Sequence, residues 1–104
     1  MKNGELEISK ENIPEGVKFI LKGRINAISA DKLQDELKGA LNNGHKDIIL
    51  NMLWVEFLSS AGIRVILRAY QDASSAGGKL GIEMPSQNVR NVLGMTALDE
   101  MLIK

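Results

Sequence analysis

The sequence predicts an α/β domain whose mixed β-sheet opens with an N-terminal hairpin and carries its helices mainly on one face, in the order β-β-α-β-α-β-α-β. Three patterns carry this expectation. Leu6 and Ile8 alternate with polar neighbours before the turn-forming run Asn12-Ile13-Pro14-Glu15-Gly16, and Val17, Phe19 and Leu21 alternate after it, with Ile20 also apolar, the period of two half-buried strands. Ile48-Ile49-Leu50 is a continuous apolar run, typical of a strand buried on both faces. Between and beyond these runs, apolar residues recur at helical spacing. Strands and helices therefore alternate, and the later strands are expected to lie parallel through right-handed crossovers.

After the hairpin, Gly23-Arg24-Ile25-Asn26-Ala27-Ile28 reads as a connection. Ser29 is a natural cap for the first helix, with Asp31 in the first turn, because its hydroxyl can accept from an open backbone N–H. Ala30, Leu33, Leu37, Ala40 and Leu41 form the buried stripe of that helix, and Asn42-Asn43-Gly44 ends it. Lys46-Asp47 lead into the Ile48–Leu50 strand, and a mixed stretch follows. From Ser60 the helical signal is strong. Ile63, Ile66, Leu67 and Tyr70 form one stripe and Ala61, Val65 and Ala69 an adjoining one, while Arg64, Arg68, Gln71 and Asp72 lie mostly on the remaining face. Ser74-Ser75-Ala76-Gly77-Gly78 terminates it. Leu80, Ile82 and Met84 make a short strand before Pro85. Ser86 caps a third helix carrying Val89, Val92 and Leu93, which is expected to stop near Gly94. Met101-Leu102-Ile103 reads as a last short edge strand.

At 104 residues the chain is expected to form one domain, able to bury roughly two-thirds of its unfolded surface. Thirteen basic and thirteen acidic residues cancel; with no basic stripe, nucleic-acid binding is not expected. The four aromatics are too few for a base-stacking platform. The absence of cysteine excludes disulfides and thiol–metal sites and fits a reducing cytoplasm. No apolar run approaches the roughly 20 residues of a membrane span, and Met1-Lys2-Asn3-Gly4-Glu5 lacks the apolar core of a secretory signal.

No catalytic constellation emerges. His45, the only histidine, follows Gly44 in a polar turn with no histidine or cysteine partner, and one imidazole cannot build a metal site. Gly77-Gly78 follows a helix instead of opening one and lacks dinucleotide-loop spacing. Asp31, Asp35 and Glu36 share a helix with lysines, the pattern of a solvated face. Trp54 and Phe57 read either as an exposed contact patch or as partly buried core at a strand end.

The segment Phe57-Leu58-Ser59-Ser60-Ala61-Gly62-Ile63 is the most informative. Two hydroxyls, a small residue and a glycine stand where a strand gives way to a helix. The first N–H groups of a helix have no internal partner, and its dipole favours negative charge there. Either serine can simply cap the helix. A serine at that place is also well situated to carry a phosphate.

The run Ile48-Ile49-Leu50-Asn51-Met52-Leu53-Trp54-Val55-Glu56-Phe57-Leu58-Ser59-Ser60-Ala61-Gly62-Ile63-Arg64-Val65-Ile66-Leu67 resembles the signature of the STAS domain, the sulphate transporter and anti-sigma factor antagonist family. Gly77-Gly78-Lys79-Leu80 and the stretch from Val89 to Leu98 resemble its later strand lead-in and third helix. The resemblance runs from about Leu6 to Ile103 and implies a single STAS domain over residues 1–104. It implies a non-enzymatic, cytoplasmic binding module without cofactor or metal. In the antagonist branch such a domain sequesters an anti-sigma factor that is also its serine kinase, freeing a sigma factor. Phosphorylation of the domain ends that binding, and a dedicated phosphatase of the PP2C-like kind reverses it.

Aligned without a gap, the phosphoacceptor falls on Ser60, with Ser59 as the second choice. Asn26, Ser59, Ala61 and Gly62 fall on the partner-binding positions. Two departures stand out: Ser59 and Asn26 each replace an aspartate of the family pattern. A constitutive structural STAS subunit of a transporter or stress-sensing assembly, and a small-molecule binder using a pocket near the Ser60 helix, are the alternative readings.

Overall fold

A computed structural model describes residues 5–14, 16–96 and 101. Its elements are β1 (Glu7–Ile13), β2 (Gly16–Ile25), α1 (Ala27–Asn42), β3 (Asp47–Leu58), α2 (Ser60–Ser75), β4 (Lys79–Glu83) and α3 (Gln87–Thr96). The strands form one mixed sheet in the order β1-β2-β3-β4. β1 pairs antiparallel with β2, as the hairpin pattern predicts, and β2–β3 and β3–β4 are parallel. Residues 102 and 103 of the expected last strand lie outside the described residues. Met101 is buried in a single 3₁₀ turn position, not in a strand.

Alternation along the strands decides which face is covered. Val17, Phe19, Leu21 and Ile25 of β2, Ile48, Leu50 and Met52 of β3, and Leu80 and Ile82 of β4 are buried. They meet Leu33 and Leu37 of α1, Ile66 and Ala69 of α2, and Val89 and Leu93 of α3 in one core. Burying a side chain of this size stabilises the fold by about 1.5–3 kcal/mol. α1 and α2 pack against each other and against the sheet, while α3 lies along β3. The opposite face keeps Lys18, Ile20 and Arg24 half-buried and Lys22 exposed. Ile49 on that face is only half-buried, so β3 is not covered on both faces as its apolar run implies: helices cover a single side.

Two further boundaries differ from the sequence reading. Gly23-Arg24-Ile25 is not a connection but the end of β2, because the strand continues to pair with β3 up to Ile25↔Leu58. Gly23 has φ +113°, and a side chain there would collide with the Glu5 carbonyl. β3 likewise runs on through Leu53–Leu58. The β2–β3 register slips between Ile20 and Lys22 and again between Gly23 and Arg24, each slip adding one residue on β3. Such bulges break the two-residue period and re-aim side chains. The stretch therefore looks mixed in sequence although it is strand.

Ser86 caps α3 as expected. Its Oγ accepts from the Val89 N–H at 3.2 Å and donates to the Val55 carbonyl at 2.7 Å, tying the helix to β3. The helix runs two residues past Gly94, and Thr96 Oγ1 donates to the Val92 carbonyl at 2.9 Å.

Candidate functional site

β2 and β3 are parallel neighbours ending level at Ile25 and Leu58, so the residues after them, Asn26 and Ser59, emerge side by side. The Ser59 N–H donates to the Ile25 carbonyl at 2.9 Å and fastens the two strand ends together. Each strand turns directly into a helix, and α1 and α2 begin at the same edge of the sheet. In parallel α/β sheets this carboxyl end is where sites are built.

α1 starts three residues earlier than its serine implies. The cap is Asn26, not Ser29: Asn26 Oδ1 accepts from the N–H groups of Ile28 (3.0 Å) and Ser29 (2.9 Å). Ser29 Oγ accepts in return from the Asn26 N–H at 2.9 Å and donates to the Arg24 carbonyl at 2.7 Å. This reciprocal pair is a capping box. Asp31 consequently lies beyond the first turn, which has no acidic residue. Asn26, expected at the partner surface, is half-buried, and its amide oxygen is engaged by the cap.

At α2 the two adjacent serines divide their roles. Ser59 has extended backbone (φ −82°, ψ 169°), and its Oγ accepts from the Gly62 N–H at 3.1 Å. That makes Ser59 the N-cap. Ser60 is the first helical residue and is exposed; its hydroxyl makes no hydrogen bond among the described residues. Ala61 is half-buried behind it, and Gly62 is fully buried. A Cβ on Gly62 would stand 2.5 Å from Ile25 Cγ2 and 2.9 Å from Leu58 Cδ1. Glycine is thus what lets α2 approach the two strand ends closely enough for Ser59 to cap it.

The electrostatics of this edge are those of two helix N-termini without acidic residues in either first turn. Beside them, the Arg24 guanidinium stacks over the Phe57 ring at 4.5 Å from its centroid, an arrangement worth about 0.5–1 kcal/mol when exposed. Trp54 and Phe57 are 60% and 39% exposed, so of the two readings of these aromatics the partly buried core is not the one the fold adopts. Ile28, in the first turn of α1, is 84% exposed. Sequence reasoning passed over it as part of a connection, and an isoleucine unsupported by the helical stripe was the available signal.

Two cavities lie away from this edge. One of roughly 200 Å³, lined by Lys10, Asp35, Asn43 and His45 among others, sits at the opposite end of the sheet, and a shallow one lies between α1 and α2 around Leu37 and Val65.

A four-stranded mixed sheet with helices on one face, and two helix starts side by side beyond its parallel strands, defines the class of domain. Residues 7–104 match the STAS domain, and the chain belongs to the STAS-domain family. It is 29% identical over 72 residues to the candidate anti-sigma factor antagonist BtrV of Bordetella bronchiseptica, covering 69% of this chain and 62% of BtrV. It is 34% identical over 62 residues to a Thermotoga neapolitana homologue of TM1081, covering 60% of this chain and 55% of that protein. The matches thus span less than two-thirds of these curated relatives. Among solved structures, the fold superposes on the unphosphorylated anti-sigma factor antagonist SpoIIAA with a TM-score of 0.83 at 20% identity, covering 93% of this chain and 86% of that one. SpoIIAA of Bacillus has also been solved in a phosphorylated form. At that identity the likeness speaks for the fold alone.

Proposed function

We propose that this domain is an anti-sigma factor antagonist whose partner-binding surface is the edge formed by the starts of α1 and α2, with Ser60 as its phosphorylation switch. The observation that carries this reading is the division between the serines: Ser59 is spent on the cap, whereas the Ser60 hydroxyl is exposed and unengaged. A phosphate on Ser60 adds about −1.5 to −2 charges at the positive end of α2. The domain tolerates that charge there, while a partner docked on the same surface meets a new, strongly hydrated anion. Binding is therefore lost without unfolding. In this reading the partner is an anti-sigma factor that doubles as the serine kinase, a phosphatase resets the switch, and the domain acts in the cytoplasm by binding, not catalysis.

A second reading, a subunit that binds its partner constitutively, draws on the same edge. Neither first turn carries an acidic residue, and Asn26 is committed to its cap, so the acidic kinase contacts of the family pattern are missing. The two readings separate in one experiment. Wild type, Ser60→Ala and Ser60→Asp are used to capture partners from native extract with ATP present, and bound proteins and phosphopeptides are identified by mass spectrometry. The switch requires an anti-sigma factor bound by wild type and Ser60→Ala but not by Ser60→Asp, with phosphate on Ser60. Equal capture by all three variants with no phosphate favours the constitutive subunit.

A further inference from the structure

A polar cleft lies at the end of the sheet remote from Ser60, between the edge strand β1 and the C-terminal half of α1. Register decides one wall. Lys10 and Asn12 of β1 stand opposite Phe19 and Val17 of β2, which are buried, and cross-strand partners share a face. The row that starts at Ile8 against the core therefore ends in an ammonium and an amide on the helix side. Across from them α1 brings Asp35, Glu36 and Gly39 to a cavity of about 200 Å³. Asn12 and His45 also border a second hollow of about 360 Å³, together with Gly16, Gly44 and Lys46, so the two spaces adjoin. A Cβ on Gly39 would meet no atom within 4 Å, although glycine is, after proline, the poorest residue for a helix interior. Neighbouring side chains do not require glycine at that position, and its consequence is the open cleft. Among the described residues, the side chains of Asn12, Asp35, Asn43, His45 and Lys46 make no hydrogen bond or ion pair within the chain. Lys10 and Glu36 pair with each other at 3.5 Å.

We propose that this cleft binds a small zwitterion, a free α-amino acid. Unengaged donors and acceptors converge on a space of ligand size, and their charges are separated along it. Asp35 and Glu36 line the cavity beside the C-terminal end of α1, where the helix dipole favours a cation and the last turn carries no basic residue. Since Lys10 takes Glu36, Asp35 is the carboxylate open to an ammonium group. In the adjoining hollow Lys46 and His45 supply N–H donors and Asn12 an amide, and among the described residues no carboxylate lines it. That end suits the carboxylate of the ligand. A simple anion or a simple cation would satisfy one end only. The cleft is separate from the Ser60 edge, so its occupation does not depend on the phosphorylation reading.

The test follows the backbone amide signals of the isotope-labelled full chain by heteronuclear NMR as each proteinogenic L-amino acid is added to about 10 mM. A ligand of about ten non-hydrogen atoms in an open cleft binds at about 1 mM. The expected result is that at least one amino acid saturably shifts the signals of Asn12, Gly39, Gly44 and His45. Its N-acetyl and its carboxamide derivative, each lacking one charge, are expected to bind at least about tenfold more weakly, the loss typical of a hydrogen bond to a charged group. Gly39→Leu fills the cleft with a good helix former and is expected to keep the circular dichroism of the fold while abolishing the shifts. Asp35→Asn, at an exposed position, is expected to weaken binding about tenfold and leave the melting temperature unchanged. Should Gly39→Leu fail to fold, Asp35→Asn and the two derivatives decide. The absence of saturable shifts with every amino acid overturns the proposal. So do shifts confined to the Ser60 edge, undiminished binding of either derivative, or wild-type affinity in folded Gly39→Leu or in Asp35→Asn.

Discussion

Replacing the two adjacent serines one at a time tests the division of labour at the start of α2. Ser59→Ala removes the acceptor of the Gly62 N–H. Gly62 is buried beneath Ile25 and Leu58, so water cannot readily replace the lost hydroxyl. Cap removal costs about 0.5–2 kcal/mol in general, and a donor left unsatisfied away from solvent adds to the upper end of that range. A loss of about 1–2 kcal/mol is therefore expected for Ser59→Ala. Ser60→Ala deletes an exposed hydroxyl that bonds nothing among the described residues, and its effect should stay within about 0.5 kcal/mol. Urea unfolding followed by circular dichroism measures both. In thermal melts, each kcal/mol corresponds to a shift of about 4–8 °C for a domain of this size. Equal losses, or a larger loss for Ser60→Ala, would refute the assignment of Ser59 as the cap and with it the argument that Ser60 is the free hydroxyl.

Three other expectations follow from the same geometry. Asn26→Ala, which strips the acceptor from two N–H groups, is expected to cost about 1–2 kcal/mol; Asn26→Asp keeps the acceptor and adds charge at the helix start, so urea midpoints should match or exceed wild type. Gly62→Ala gains about 1 kcal/mol of helix propensity but forces a methyl against Ile25 and Leu58, at a cost of about 1–3 kcal/mol. The net effect is neutral to moderately destabilising, and a clear stabilisation in the same assay would mean that α2 does not need its close approach. The Glu83 carboxylate, by hydrogen bond and then by charge, holds the Lys18 ammonium above its ordinary value of 10.5. Since the folded value is the raised one, the pair's stabilisation is complete below pH 10.5 and fades as pH climbs through the folded value. The stability difference between wild type and Lys18→Met should therefore be constant from neutral pH to about pH 10 and shrink above it; shrinkage beginning near neutrality would contradict the pairing.

Local pattern alone was enough for the parts of this fold governed by short-range physics. The hairpin alternation of Ile8, Val17, Phe19 and Leu21, the stripes of α1 and α2, the cap at Ser86, and the placing of Ser59 and Ser60 where a strand becomes a helix all follow from periodicity and side-chain chemistry within a few residues. The elements that eluded sequence reading depend on partners distant in the chain. Asn26 and Ser29 are both cap-formers three residues apart, and Asn26 takes the role because β2 stays paired with β3 as far as Ile25. The bulged half of β3 hides its strand character by losing the period of two, and only its register against Lys22 and Arg24 shows that Trp54 and Phe57 point out of the core. Gly62 looks like any small helix-start residue until Ile25 and Leu58 are seen to leave no space for a Cβ. What the sequence by itself determined is the order of elements and the two adjacent hydroxyls at the step from β3 to α2. Tertiary structure alone decided which hydroxyl is spent and which face stays open, because both depend on how close two parallel strand ends come to the helices that follow them.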